Sequence, residues 1–139
     1  MSELALPKVD QSTILNRDKI VNKLKRIIKS ENVLDHNDEI KPYETDALSA
    51  YKQKPLVVVL PENTQEVSNI LKYCNEEKIK IIPRGAGTGL SGGALPLNDA
   101  ILLGLGKFNK ILEIDFDNKC VVAQPGVTNL SITHAVQHK

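Results

Sequence analysis

The sequence contains no tryptophan, and its few Phe and Tyr residues bring the aromatic share to only 4%, so a folded core must be built from aliphatic side chains. Cysteine is scarce as well. Cys74 and Cys120 stand far apart with no C-x-x-C pairing, which gives no basis for a zinc site or a disulfide framework and suits two small core residues in a reducing compartment. Neither sign of charge is in excess: 18 Lys and Arg against 17 Asp and Glu leave a formal net charge of +1, and no electrostatic argument for nucleic acid as a partner. No apolar run approaches the length of a transmembrane segment. Residues Met1 to Asp10 hold an acid and a proline instead of a continuous apolar stretch and do not read as a secretory signal, so a cytoplasmic chain is the default. The hydrophobic share of 41% is ordinary for a globular core, and 139 residues suffice for one domain.

What is present is concentrated in one stretch. Pro83, Arg84, Gly85, Ala86, Gly87, Thr88, Gly89, Leu90, Ser91, Gly92 and Gly93 follow the apolar run Ile79 to Ile82. Each glycine costs conformational entropy and leaves nothing to pack, so this many small residues in one turn mark backbone exposed for a ligand. Successive unobstructed N–H groups can converge on an anion, which points to a phosphorylated molecule. The nucleoside-triphosphate loop is excluded, because Gly93 stands where its lysine is required. The dinucleotide fingerprint G-x-G-x-x-G is matched literally by Gly87, Gly89 and Gly92, and Glu113 lies about 20 residues on. That fingerprint needs a helix opening at its last glycine, whereas Gly92-Gly93-Ala94-Leu95-Pro96 leads into Asn98-Asp99, loop formers and a proline. A nicotinamide site of the Rossmann type is therefore rejected.

Three blocks together carry a resemblance. RGAGTGLSGGALP, the upstream PYETDALSAY (Pro42 to Tyr51) with PLVVVLPENTQEV (Pro55 to Val67), and the downstream VVAQPGVTNL (Val121 to Leu130) resemble the FAD-linked oxidases of the vanillyl-alcohol-oxidase type. The members most resembled are glycolate oxidase FAD-binding subunits and D-lactate dehydrogenases. The resemblance implies an α+β, α/β-like fold: the N-terminal half of a PCMH-type FAD-binding domain, with a small parallel strand–helix–strand unit, then a hairpin and a helix. It implies FAD as cofactor, with Arg84 to Gly93 around the pyrophosphate, Thr88 and Ser91 as hydroxyl donors, and Gln124, Pro125, Gly126 and Val127 near the adenosine side. It further implies oxidation of a small 2-hydroxy acid to the 2-keto acid, with electrons leaving to a second acceptor or partner subunit and a cytoplasmic chain peripheral to a membrane through such subunits. Members of the family continue beyond the position of Lys139 with the rest of the flavin site and a substrate domain. Residues 1–41 are thus expected to be a helical lead-in and 42–139 the first part of the domain, with no catalytic residue in this chain. The alternative is an inactive truncated or split-gene product that binds at most a nucleotide or a partner.

The remaining patterns fit that scheme. Ile20, Leu24, Ile27 and Ile28 form an apolar stripe over a helix from Asp18 to Ser30, with Lys and Arg on the other faces; it reads as a solvated helix docked by its stripe, over the alternative of a basic helix on an anionic membrane. Leu56 to Leu60 is apolar without alternation, as in a strand buried on both faces. A helix capped by Asn63 or Thr64 follows to Glu77, then strands at Ile79–Ile82 and Ala100–Leu103, a hairpin of Ile111–Phe116 and Lys119–Ala123 around Asp117-Asn118, and a helix from Asn129 to Gln137. The strand–helix–strand order calls for a parallel crossover. Glu113, Asp115 and Asp117 read as a solvated strand face and not as a calcium site, and His134 and His138, one turn apart without a third ligand, as surface or packing residues. Tyr43, Glu44, Asp46 and Tyr51 read as hydrogen-bonding anchors of the lead-in segment.

Overall fold

Residues 7–138 are described in a computed structural model of the chain. The stretch Met1 to Leu6, part of the segment judged not to be a secretory signal, and Lys139, the end of the expected domain, lie outside the described residues. Helix α1 (Gln11–Leu15) is capped by Asp10, whose side chain accepts from the Ser12 N–H, and α2 (Arg17–Ile27) buries Ile20, Val21 and Leu24. Strand β1 (Val33–Leu34) and the short α3 (Asn37–Ile40) lead to β2 (Val57–Val59). Then come α4 (Thr64–Glu76), β3 (Lys80–Arg84), β4 (Ala100–Gly104), the pair β5 (Ile111–Asp115) and β6 (Cys120–Ala123), and α5 (Asn129–Val136). Among the described residues no helix is long and apolar enough to cross a membrane.

The main sheet has the order β1-β2-β4-β3, with β1 antiparallel to β2 and the other pairs parallel. The strand–helix–strand unit expected from sequence is present, but β2 and β3 are not neighbours: β4 inserts between them. The reason is burial. Ala100 to Gly104 has no polar side chain and is buried along its whole length, so it takes the centre, while β3, with Lys80, Pro83 and Arg84, takes an edge where a proline withholds no ladder hydrogen bond. Val57, Val58 and Val59 are fully buried, as a strand covered on both faces requires. The lead-in helix shares this core: Ile20, Val21, Leu24 and Ile28 pack with Leu56, Ile70, Tyr73, Cys74, Ile101 and Leu103.

The expected cap of α4 is met by Asn63, which accepts from the Glu66 N–H at 2.9 Å; at α5 the structure adds a cap the sequence did not single out, Thr128, which accepts from the Ser131 N–H at 3.1 Å. Other expectations are corrected. Only Cys74 is a core residue, its thiol pushed up to about 11 by burial, whereas Cys120 is exposed on the β5–β6 hairpin, a two-stranded ribbon with one open face. Nor do the three acids share one strand face. Glu113 and Asp115 lie in β5 beside a register irregularity, and Asp115 ends the strand by accepting from the N–H and the side-chain amide of Asn118, which hold its carboxyl below the ordinary value.

Two polar clusters fix the ends of the sheet. The buried Asp99 carboxylate at the start of β4 accepts from the Asp10 N–H at 2.6 Å and from Lys80 Nζ at 2.6 Å; burial alone would raise its pKa, and these donors outweigh that and lower it. Beneath the segment that follows β4, Lys107 Nζ donates to Asn32 Oδ1 at 2.6 Å and to Glu62 Oε1 at 3.1 Å, while Lys29 Nζ binds Glu62 Oε2 at 2.7 Å. Those contacts with Lys29, Asn32 and Lys107 hold the Glu62 carboxyl at about 2 against an ordinary 4.5. The unfolded chain takes up this proton first as pH falls, so the stabilisation is complete above pH 4.5 and is lost on the way down to about 2. Denaturant titrations of wild type and Glu62→Gln should differ most near neutral pH and converge only as pH falls to about 2, whereas a constant gap between the two would show that Glu62 is not ionised in the network.

Candidate functional site

The glycine-rich stretch begins inside β3 and leaves at its C-terminal end. Arg84 still pairs with Gly104 of β4, and the Leu105 N–H donates to the Arg84 carbonyl at 2.9 Å. The loop and the segment after β4 therefore emerge side by side at the C-terminal edge of the parallel strands, where open α/β sheets bind ligands. No helix follows the loop: Ser91 to Asp99 runs through turns into β4, which removes the structural context of the dinucleotide fingerprint, and Glu113 lies in β5.

From Gly85 to Gly93 no backbone N–H donates a hydrogen bond to another described residue. Such groups are ordinarily paired, so a run of free donors in one loop is an array able to hold an anion. Gly87 sits at φ +72°, and a Cβ there would come within 2.5 Å of the Arg84 guanidinium; glycine is the residue this position admits. Gly89 and Gly93 have nothing within 4 Å of a Cβ, which leaves open space above the backbone. Thr88 and Ser91 are exposed and their hydroxyls make no hydrogen bond to a described residue. Leu90, 73% exposed, supplies an apolar lip.

Two other segments close around the loop. Arg84 is braced by the upstream block, its Nη1 donating to the Tyr43 carbonyl at 3.2 Å and its guanidinium lying 5.7 Å from the Tyr43 ring centre. The Ala47 N–H donates to the Gly87 carbonyl at 2.8 Å. The anchoring read for this block is met: Asp46 Oδ1 accepts from the Leu48 N–H at 2.9 Å, Thr45 Oγ1 donates to the Tyr51 carbonyl at 3.0 Å and the Gln53 N–H to the Glu44 carbonyl at 2.8 Å. That the block touches the loop itself was not legible, because its partners lie some forty residues apart and the Ala47–Gly87 bond is a main-chain contact that no side-chain pattern signals.

The downstream turn arrives through Gly126. Its N–H donates to the Phe108 carbonyl at 2.7 Å, and a Cβ there would lie 2.6 Å from the Leu105 carbonyl and 2.7 Å from that of Phe108. This close approach, which only glycine allows, sets the Pro125 carbonyl 4.0 Å from a Cβ on Gly85. Two segments that sequence placed in one site, separated by some thirty residues, are thus brought together. The Gln124 side chain is engaged, its Oε1 accepting from the Lys110 N–H at 3.0 Å. An unengaged anion-binding loop with open space above it and a polar turn alongside fits a dinucleotide with a bridging pyrophosphate, FAD included.

Other candidate positions are satisfied internally. His134 and His138 are exposed and lie outside the Asp35, His36 and Glu39 cluster, where Asp35 is paired with Lys25 at 3.0 Å and Glu39 caps α3 through the His36 N–H. The open cleft lined by Arg17, Asp35, Asn37 and Lys54 contains no residue of the glycine loop, and Arg17 and Lys54 there already bond to Asp35 and Asn37.

Residues 55–139 match the family described as FAD binding domain. The glycolate oxidase subunit GlcD of Escherichia coli is 43% identical over 132 residues, 95% of this chain and 25% of that protein. A D-lactate dehydrogenase of Archaeoglobus fulgidus is 40% identical over 109 residues, 78% of this chain and 24% of that protein. Among solved structures, p-cresol methylhydroxylase with substrate bound superposes with a TM-score of 0.76 at 29% identity, covering 94% of this chain and 25% of its own. The chain spans about a quarter of the length of the relatives it matches. Matched over more than half its residues, the chain belongs to the FAD binding domain family with the PCMH-type fold, and its cofactor is FAD.

Proposed function

We propose that this chain is the FAD-binding portion of a flavin-dependent oxidoreductase that converts a small 2-hydroxy acid, glycolate or D-lactate, to the 2-keto acid. The observation that carries the reading is the row of unengaged N–H groups from Gly85 to Gly93 at the C-terminal edge of β3, set against the Gln124–Val127 turn. The names of the relatives, a glycolate oxidase subunit and a D-lactate dehydrogenase, support the substrate class. In this reading residues 42–139 are the first part of the FAD-binding domain and 1–41 a lead-in that packs on the same core.

The residue roles follow from the geometry. Arg84 to Gly93 receive the pyrophosphate, with main-chain N–H groups and the Thr88 and Ser91 hydroxyls as donors, while Pro83 lies near the end of the edge strand that aims them. Gln124, Pro125, Gly126 and Val127 line the adenosine side, Gln124 through its main chain because its amide oxygen is held by Lys110. Bound FAD would supply the acceptor for the hydride equivalent of the hydroxy acid, and the residues named here would bind and orient it, with no catalytic base among them. The likeness to an oxidase subunit supports partner subunits as the route for the electrons; in this reading the chain is cytoplasmic and peripheral to a membrane through them.

Gly89→Asp is the direct substitution. Its side chain has open space and an ordinary backbone angle, so folding is spared, while a carboxylate is added beside two phosphates. The complete protein carrying it should purify folded but with less than about a tenth of the flavin absorbance of wild type. Full flavin content in this variant would remove the pyrophosphate from the loop. NAD gives the complementary check. With no helix after Gly92 and Glu113 in β5, calorimetry of the flavin-free protein should show no saturable heat with NAD at millimolar concentration, and a saturable isotherm abolished by Glu113→Ala would restore the nicotinamide site.

A further inference from the structure

We infer that Asp46 is a positioning residue of the glycine loop: in the FAD-bound protein its free carboxylate oxygen accepts from the Thr88 N–H, which turns away from the ligand, and so holds the remaining N–H groups of the loop and the Thr88 hydroxyl in their ligand-facing orientation. This rests on the assignment of the glycine loop to the FAD pyrophosphate. Asp46 is 5% exposed. Its Oδ1 accepts from the Leu48 N–H at 2.9 Å, while its Oδ2 has no partner and is the one such buried side-chain nitrogen or oxygen among the described residues.

The fold alone does not account for that second oxygen. The turn at Asp46 uses Oδ1 only, and an asparagine would make the same bond without burying a charge. A buried acceptor left unmade is costly, more so when ionised, and its persistence calls for a donor that arrives with function. Unengaged donors lie on the loop that the next residue contacts. The Ala47 N–H binds the Gly87 carbonyl at 2.8 Å, which lays the Gly87–Thr88 peptide against the residue following Asp46, and the Leu48 side chain stands 3.5 Å from the Cβ position of Gly92.

On that peptide, the Thr88 N–H donates to no described residue, and neither does the Thr88 hydroxyl. An acceptor without a donor and donors without an acceptor thus flank one main-chain contact. Gly87, with its positive φ and no Cβ, is where the peptide plane can turn to join them. Oδ2 is closed to solvent and cannot meet the ligand itself, so Asp46 acts through the loop.

The test uses the whole protein, stripped of FAD and titrated with it, as wild type, Asp46→Asn and Gly89→Asp. Asp46→Asn keeps the bond to Leu48 but presents N–H donors where the free acceptor was. Flavin affinity should fall about 10- to 100-fold, the equivalent of one charge-assisted hydrogen bond, while the thermal midpoint of the flavin-free protein stays unchanged or rises. A purely structural Asp46 would lower that midpoint in parallel with affinity, and this result, or affinity within threefold of wild type, overturns the inference. If Gly89→Asp abolishes binding and Asp46→Asn does not, the positioning role fails while the loop assignment stands; if neither variant changes binding, both fail. Hydrogen exchange separates this bond from a direct contact with phosphate: at saturating FAD the Thr88 amide should be protected in the wild type and lose that protection in Asp46→Asn, and equal protection in both contradicts the proposal.

Discussion

The structure depends on the parallel pairing of β3 with β4 as far as Arg84 and Gly104. That register brings the chain out of both strands at the same edge, so the glycine loop and the segment Leu105–Lys110 begin side by side. The second segment is then held on two fronts. From below, Lys107 is bound by Asn32 and Glu62, and from above Gly126 contacts the carbonyls of Leu105 and Phe108. A one-residue slip of β3 would carry Pro83 to the position of Arg84 and separate the loop from the turn that closes on it.

Much of this was legible from residues whose physics is local. The unbroken run Val57–Val59 could only be a strand buried on both faces, and Asn63 announces its helix by a side-chain oxygen that reaches a main-chain N–H group. The glycine loop was legible for the opposite reason: so many positions without side chains have no use in packing. What escaped was set by contacts between distant segments. Two-residue β1 has too few side chains to show a period, and the central place of β4 follows from comparing the burial of strands that sequence reads separately. Cys120 looked like a core residue in a strand, yet its ribbon has an open face. The polar residues Asn32 and Asp99 are buried because partners come from 30 and more than 80 positions away, and no window along the chain contains both ends of those contacts.

The division of labour in the site follows the same logic. Side chains near the loop are spent on structure: Arg84 on Tyr43, Gln124 on Lys110, Asp46 on the Leu48 turn. The loop's own main chain is left free, and a preorganised row of amide dipoles needs no rearrangement to receive charge. In the function proposed above, redox chemistry would belong to the flavin, and this loop's part would be to receive the flavin's phosphates.

The central claim is that the N–H groups of Gly85 to Gly93 bind the FAD pyrophosphate. Amide chemical shifts of the protein labelled with nitrogen-15 glycine, recorded as FAD is added, address it without any substitution. The account predicts large downfield movements for Gly85, Gly87, Gly89, Gly92 and Gly93, with Gly104 and Gly106 moving little. Saturable FAD binding that leaves those five resonances in place would contradict it.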